Sequence, residues 1–202
     1  MTVAQPHFQI DEEDRLRADL YNYLGAMLAG PPDEMLLAQT AALTGGDTAL
    51  GRAIDGLARV AKVTRPKAAR TEYNALFIGL GRGELLPYAS YYMTGFLNEK
   101  PLANLRADMA RLRISRAENT FEPEDNIASL MEMMGGMIVG RFGAAATLPQ
   151  QKEFYNKHIG PWATHFYTDL QGARASVLYA SVGAVGAAFL GIEQEAFRMA
   201  AG

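Results

Sequence analysis

Ala175 to Ile192 runs for 18 residues without a charged side chain. A stretch that long belongs either across a bilayer, where spans begin at about 18 apolar residues, or inside a protein core. Ser176, Ser181, Gly183, Gly186 and Gly191 dilute its apolar character. It also lacks a flanking basic cluster on one side, which commonly marks a membrane span. The run therefore reads as a core helix packed closely through its small residues, with no stable membrane insertion.

The rest of the chain reads as helices to pack around it. Leu16, Leu20, Tyr23, Leu24 and Met27 recur at helical spacing. Gly30-Pro31-Pro32 ends that helix, and Asp33 is placed to cap the next, Met35 to Leu43. Asp47 opens a third, with Leu50, Ile54, Leu57, Ala58 and Ala61 on one face. Lys67 to Phe77 forms a fourth, with Tyr73, Leu76 and Phe77 expected to be buried. Beyond the loop Gly79-Leu80-Gly81-Arg82-Gly83 come Ser90 to Leu97 and Pro101 to Leu112. The loop Arg113 to Phe121 leads to a helix opening at Pro123, with a seam at Ile127, Leu130, Met131, Met134 and Ile138. Pro149 to Ile159, Trp162 to Leu170 and Ser176 to Leu190 complete the set. No segment alternates as a strand, and no repeat or composition shift marks a boundary. The prediction is an all-α fold: one domain over 1–202, a bundle of about nine or ten helices, with residues 1–10 a flexible tail.

Several function classes fall away. The chain has no cysteine, so neither disulfides nor cysteine-ligated metals are available. A net charge of −3 argues against nucleic acid as partner. Met1 to Asp14 has no basic and apolar leader pattern, which points to the cytoplasm. No Glu-x-x-His pair suggests a di-iron site, and His7, His158 and His165 are scattered. No Gly-x-Ser-x-Gly motif surrounds a serine. The Gly79–Gly83 loop lacks the Gly-Lys-Ser/Thr ending of a phosphate loop and follows a helix, so a connector is the simpler reading beside a nucleotide site. No catalytic or metal-binding residue is assigned, and the chain is not expected to be an enzyme.

Two segments carry chemistry suited to binding. Phe121-Glu122-Pro123-Glu124-Asp125-Asn126 places three acids around a proline at a helix start. Proline and acids are both favoured there, since the first N–H groups lack partners and the helix dipole is positive at that end. The same acids also make a rim able to take a basic peptide. Tyr88-Ala89-Ser90-Tyr91-Tyr92 puts three phenols in five positions; on a helix they share one side, as core edge or as a wet interface. Met131, Met133, Met134 and Met137 are read mainly as core, although methionine also serves adaptable binding surfaces.

Together these residues resemble the TorD/DmsD family of redox-enzyme maturation chaperones. Its Glu-Pro-x-Asp-His signature is similar to Glu122-Pro123-Glu124-Asp125-Asn126, and its Tyr-x-Ser-x-Tyr segment to Tyr88–Tyr92. Glu72-Tyr73-x-x-Leu76-Phe77, Pro161-Trp162-x-x-x-Phe166 and Leu20-Tyr21…Pro31-Pro32 also look like family landmarks. The signature histidine is Asn126 here, which keeps a hydrogen-bonding side chain but takes no proton near neutral pH.

The resemblance implies a TorD-like helical chaperone that binds the twin-arginine signal peptide and apo form of a molybdenum-containing oxidoreductase. It implies assistance with cofactor insertion before export. The peptide-binding candidates are Tyr88, Ser90, Tyr91, Tyr92, Glu122, Pro123, Glu124, Asp125 and Asn126. Arginines of a leader would pair with the carboxylates and stack on the phenols, with Asp125 alternatively capping its own helix. No resident cofactor is expected, only transient contact with molybdenum cofactor or GTP. The stretch Leu76 to Leu85 looks most like the branch accompanying formate dehydrogenases. Rival readings are an assembly factor for a non-exported molybdoenzyme of nitrate-reductase type and a nucleotide-binding protein using Gly79–Gly83. The chain is expected as a monomer or a domain-swapped homodimer hinged in the Arg113 to Phe121 loop.

Overall fold

The structure is a computed structural model that describes residues 10–116 and 122–200. The expected tail, His7 and Phe121 lie largely or wholly outside the described residues. Ten α-helices follow in order: α1 (Glu12–Ala29), α2 (Glu34–Ala41), α3 (Ala49–Val63), α4 (Pro66–Tyr73), α5 (Ala89–Thr94), α6 (Lys100–Arg111), α7 (Ile127–Ile138), α8 (Leu148–Phe154), α9 (Ala163–Gly172) and α10 (Leu178–Met199). A π-turn at Asn74–Ile78 extends α4, and another at Tyr155–Ile159 extends α8. No strand occurs among the described residues, so the all-α expectation holds.

The core is organised around α7. Ten of its residues are buried, including Ile127, Leu130, Met131, Met134 and Ile138. A helix apolar on nearly every side must be surrounded, and α1 lies along it while the α8 region packs on its end. Contact with α1 is close because α7 carries Gly135 there. A Cβ at Gly135 would sit 2.6 Å from the Asn22 side-chain oxygen.

Helix α10 takes in most of the uncharged run foreseen in the sequence, continues beyond it through Glu193 to Met199, and packs against α9 and α3. Gly186 faces the Tyr167 ring, which leaves no room for a methyl group. No helix of the described residues is long and apolar enough to cross a membrane. A buried ion pair also ties α10 to α1. Arg17 donates from Nε and Nη2 to the two oxygens of Glu193, both at 2.8 Å, and Tyr21 adds a hydroxyl donor at 2.9 Å.

Three local expectations are corrected. Leu16 is not a core residue but 63% exposed; the buried face of α1 is Ala18, Tyr21, Leu24, Met27 and Leu28. Of the three side chains expected to be buried at the end of α4, Leu76 in the π-turn is buried, while Tyr73 and Phe77 are only half-buried. The helix after the acidic signature begins at Ile127 rather than at Pro123.

Candidate functional site

The two signature segments meet. Residues 87–89 and 125–127 run antiparallel past one another at a single bridge between Tyr88 and Asn126. The Ala89 amide donates to the Asp125 carbonyl and the Ile127 amide to the Pro87 carbonyl, both at 2.9 Å. This short ladder holds the N-termini of α5 and α7 side by side. A turn closed by Asn126 N–H on the Pro123 carbonyl, 3.1 Å, precedes it.

Each acid of the signature has a different partner. Asp125 is 1% exposed, and its Oδ2 accepts the Ser90 amide at 2.8 Å. It caps α5 rather than its own helix. Asn126 does the local capping, its Oδ1 accepting the Ala128 amide at 2.9 Å. An asparagine serves here as well as any residue, because N-cap asparagine is among the best acceptors for unpaired first-turn amides.

Glu124 is buried and receives Arg106 Nε and Nη2 on Oε2 at 3.0 and 2.8 Å, with Arg116 at 3.7 Å from Oε1. Burial opposes ionisation of Glu124, but the Arg106 hydrogen bonds and the two guanidinium charges outweigh it and hold the carboxyl below its usual range. Glu122 is the exposed acid. Its carboxylate accepts the Tyr88 hydroxyl and a long contact from Asn126 Nδ2, and it makes no ion pair among the described residues. The acids therefore do not form a three-carboxylate rim. Pro123 is half-buried between them.

The tyrosines also diverge. Tyr88 is extended, with φ −125° and ψ 135°, so it precedes α5 and does not share a helical face with Tyr91 and Tyr92. Tyr91 lies beneath Arg82, whose guanidinium carbon is 5.3 Å from the ring centroid and whose Nη2 donates to the hydroxyl at 2.7 Å. Tyr92 packs on Trp162 and Phe166 and donates its hydroxyl to Asp169 at 2.9 Å. Its burial, with the nearby Asp169 carboxylate, pushes the phenol far above its usual range. Ser90 is fully buried; its Oγ and Asp125 Oδ1 have no partner among the described residues.

All nine candidate residues thus come to one junction, with Glu122, Tyr88 and Tyr91 toward solvent and Ser90, Glu124, Asp125 and Asn126 inside it. Sequence reasoning missed Arg82, Arg106, Arg116 and Asp169, since nothing local pairs them with the motifs. It also left Glu72 without a role. Glu72 accepts the amides of Val177, Leu178 and Tyr179 at 2.7–3.1 Å, which caps α10. Glu84 accepts the Arg174 and Ala175 amides, and these hydrogen bonds hold its carboxyl below the usual carboxylate range. The Gly79–Gly83 loop is built around a left-handed Gly79 at φ 62°, where a Cβ would strike the Arg82 carbonyl. Its one basic side chain is engaged with Tyr91. His158 is buried and bonded to Asp108 at 2.9 Å, with burial lowering its proton affinity. No group of three or more His, Cys, Asp or Glu suited to a metal occurs among the described residues.

The family model described as nitrate reductase delta subunit matches residues 44–168, more than half of the chain and both signature segments. The chain belongs to the TorD/DmsD family. Among its relatives are chaperone proteins TorD. That of Aliivibrio fischeri is 30% identical over 98 residues, 45% of this chain and 46% of its own length. That of Vibrio atlanticus is 26% identical over 128 residues, 59% and 60% of the two chains. The chain thus spans about half the length of the curated relatives it matches. A crystal structure from Archaeoglobus fulgidus, of a protein assigned to redox enzyme maturation, superposes with a TM-score of 0.57 over 93% of this chain and 99% of its own. At 20% identity that likeness establishes the TorD-type helical fold alone.

Proposed function

We propose that this TorD/DmsD-family chain is a cytoplasmic chaperone, not an enzyme, acting as one domain over 1–202. It binds the twin-arginine signal peptide and apo catalytic subunit of a molybdenum-containing oxidoreductase and assists cofactor insertion before export. The formate dehydrogenase class is the client favoured by the Leu76 to Leu85 resemblance. The chaperone carries no cofactor of its own; any touch with molybdenum cofactor or GTP is transient.

The observation that supports this reading best is the Arg82–Tyr91 stack on α5, whose first residues are paired with the segment that carries Glu122. The junction already accommodates one guanidinium on an aromatic face, and an exposed carboxylate without an ion pair stands on the neighbouring segment. Arginine recognises both groups, by stacking and by paired N–H donors to a carboxylate. In this reading Glu122, Tyr88 and Tyr91 contact the leader. Glu124, Asp125, Asn126 and Ser90 hold that surface in place, and Tyr92 braces it against α9.

Calorimetry with a synthetic twin-arginine leader tests the reading. Dissociation constants of about micromolar are expected, equivalent to roughly −8 kcal/mol. Glu122→Gln should weaken binding about tenfold, a loss of about 1.4 kcal/mol, and affinity should fall as salt rises because an exposed pair is screened. Unchanged affinity in Glu122→Gln rejects the carboxylate as the arginine receptor.

A second reading is favoured by the matched family description, nitrate reductase delta subunit. Under it the client is a non-exported catalytic subunit. Binding to a leaderless subunit, with no affinity for any twin-arginine peptide, would select it.

A further inference from the structure

Helix α7 has a second surface at its far end. Its N-terminus carries the Asp125–Ser90 junction, while Ile138 at its C-terminus borders a groove of about 650 Å³. The start of α1, the α7–α8 connection and the last turns of α10 form the walls. That volume lies within the roughly 300–1,000 Å³ of ordinary binding clefts. Leu16, Leu148 and Ile192 line the groove and remain 63%, 46% and 51% exposed. Single exposed apolar side chains are ordinary, but three on the walls of one groove mark a surface suited to a partner.

The groove is also acidic. Asp11, Glu13, Asp14 and Glu193 line it against one cation, Arg17, which is already bonded to Asp14 and Glu193. Acids in a first helical turn favour the helix itself through its dipole, so they do not mark a site alone. The independent sign is the apolar lining, because Leu16, Leu148 and Ile192 stand exposed beside these acids on the same groove. Gln151 anchors the α7–α8 connection from beneath, its Nε2 donating to the Ala146 carbonyl at 2.9 Å.

We propose that this groove docks an amphipathic helix of a partner protein. The helix lays its apolar face on Leu16, Leu148 and Ile192 and sets flanking lysines or arginines against Asp11 and Glu13. Helix-in-groove docking fits, since no strand edge among the described residues offers backbone pairing. The negative walls select a cationic partner. They also disfavour a second copy of this chain, because a two-fold contact would bring the same acids face to face. The surface is separate from the leader junction and does not depend on that assignment.

The test uses the full chain and a labelled synthetic helix with lysine flanks and leucines spaced three and four apart, read by fluorescence anisotropy. Saturable binding is expected, weakened about tenfold by Leu16→Gln with Ile192→Gln, and likewise by Asp11→Asn with Glu13→Gln. These four positions are exposed, so the variants should keep the parent's helical circular dichroism spectrum, the acid pair losing at most the modest dipole contribution to α1. A glutamate-flanked version of the probe should not bind. Four results would overturn the proposal: no binding to the parent chain, binding by either variant pair as tight as the parent's, displacement by a saturating twin-arginine leader, or a dimer in light scattering that the groove variants dissolve.

Discussion

Asp125 caps a helix from which it is 35 residues distant: its carboxylate accepts the Ser90 amide at 2.8 Å while buried at 1% exposure. The bond locks the tyrosine segment to the acidic segment, so the two halves of the candidate peptide surface move as one piece. Asp125 is therefore a structural part of the junction, and Glu122 is its outward-facing acid.

Replacing Asp125 separates these roles. Asp125→Ala leaves the Ser90 amide of α5 without its acceptor in a buried place, and a lost cap or orphaned donor costs about 1–3 kcal/mol. Urea denaturation should show that loss. Glu122→Gln, at an exposed position, should stay within about 0.5 kcal/mol of the parent. Equal stability of both variants would contradict the capping role of Asp125.

Acid should find a weak point at Glu124. Burial opposes its charge, but Arg106 and Arg116 hold its folded-state pKa below the usual carboxylate range. A depressed folded value stabilises the protein above the unfolded value, near 4.5, and that contribution disappears as pH falls through the folded one. Arg106→Gln removes the largest favourable partner and leaves burial opposing the charge. Thermal melts across pH should then show lower stability than the parent near neutral pH and a smaller further loss as pH falls through the carboxylate range.

Arg82 sits where a leader arginine would stack. Removing it with Arg82→Gln should uncover the Tyr91 face and tighten leader binding, by about two- to fivefold if one exposed cation–π contact of about 0.5–1 kcal/mol no longer competes. This is opposite in sign to Glu122→Gln. Weaker leader binding in calorimetry would show instead that Arg82 supports the bound peptide.

Gly186 is a packing requirement. Alanine there drives a methyl group into the Tyr167 ring, and overpacking of this kind costs about 1–3 kcal/mol. Alanine at Gly172, where nothing lies within 4 Å, should melt like the parent. A melting temperature for Gly186→Ala equal to that control would mean α9 and α10 can separate without penalty.

The helices were legible in the sequence because their causes are local. Apolar spacing at Ile127, Leu130, Met131, Met134 and Ile138 marked the core face of α7, and the diluted apolar run marked α10 as a core helix. Capping was half legible: Asp33 does cap α2 through the Leu36 amide, but the Pro123 start was placed too early. The face of α1 was misjudged at Leu16 because packing against α7 and α10 chose among several apolar positions. What the tertiary structure decided was which acid is available. Three carboxylates within four residues look equivalent in a string of letters. Arg106 and Arg116 claim Glu124, the distant Ser90 amide claims Asp125, and only Glu122 is left toward solvent. Hydrogen-bond and ion-pair partners are chosen by proximity in space, and at separations of 18 and 35 residues no local pattern encodes it.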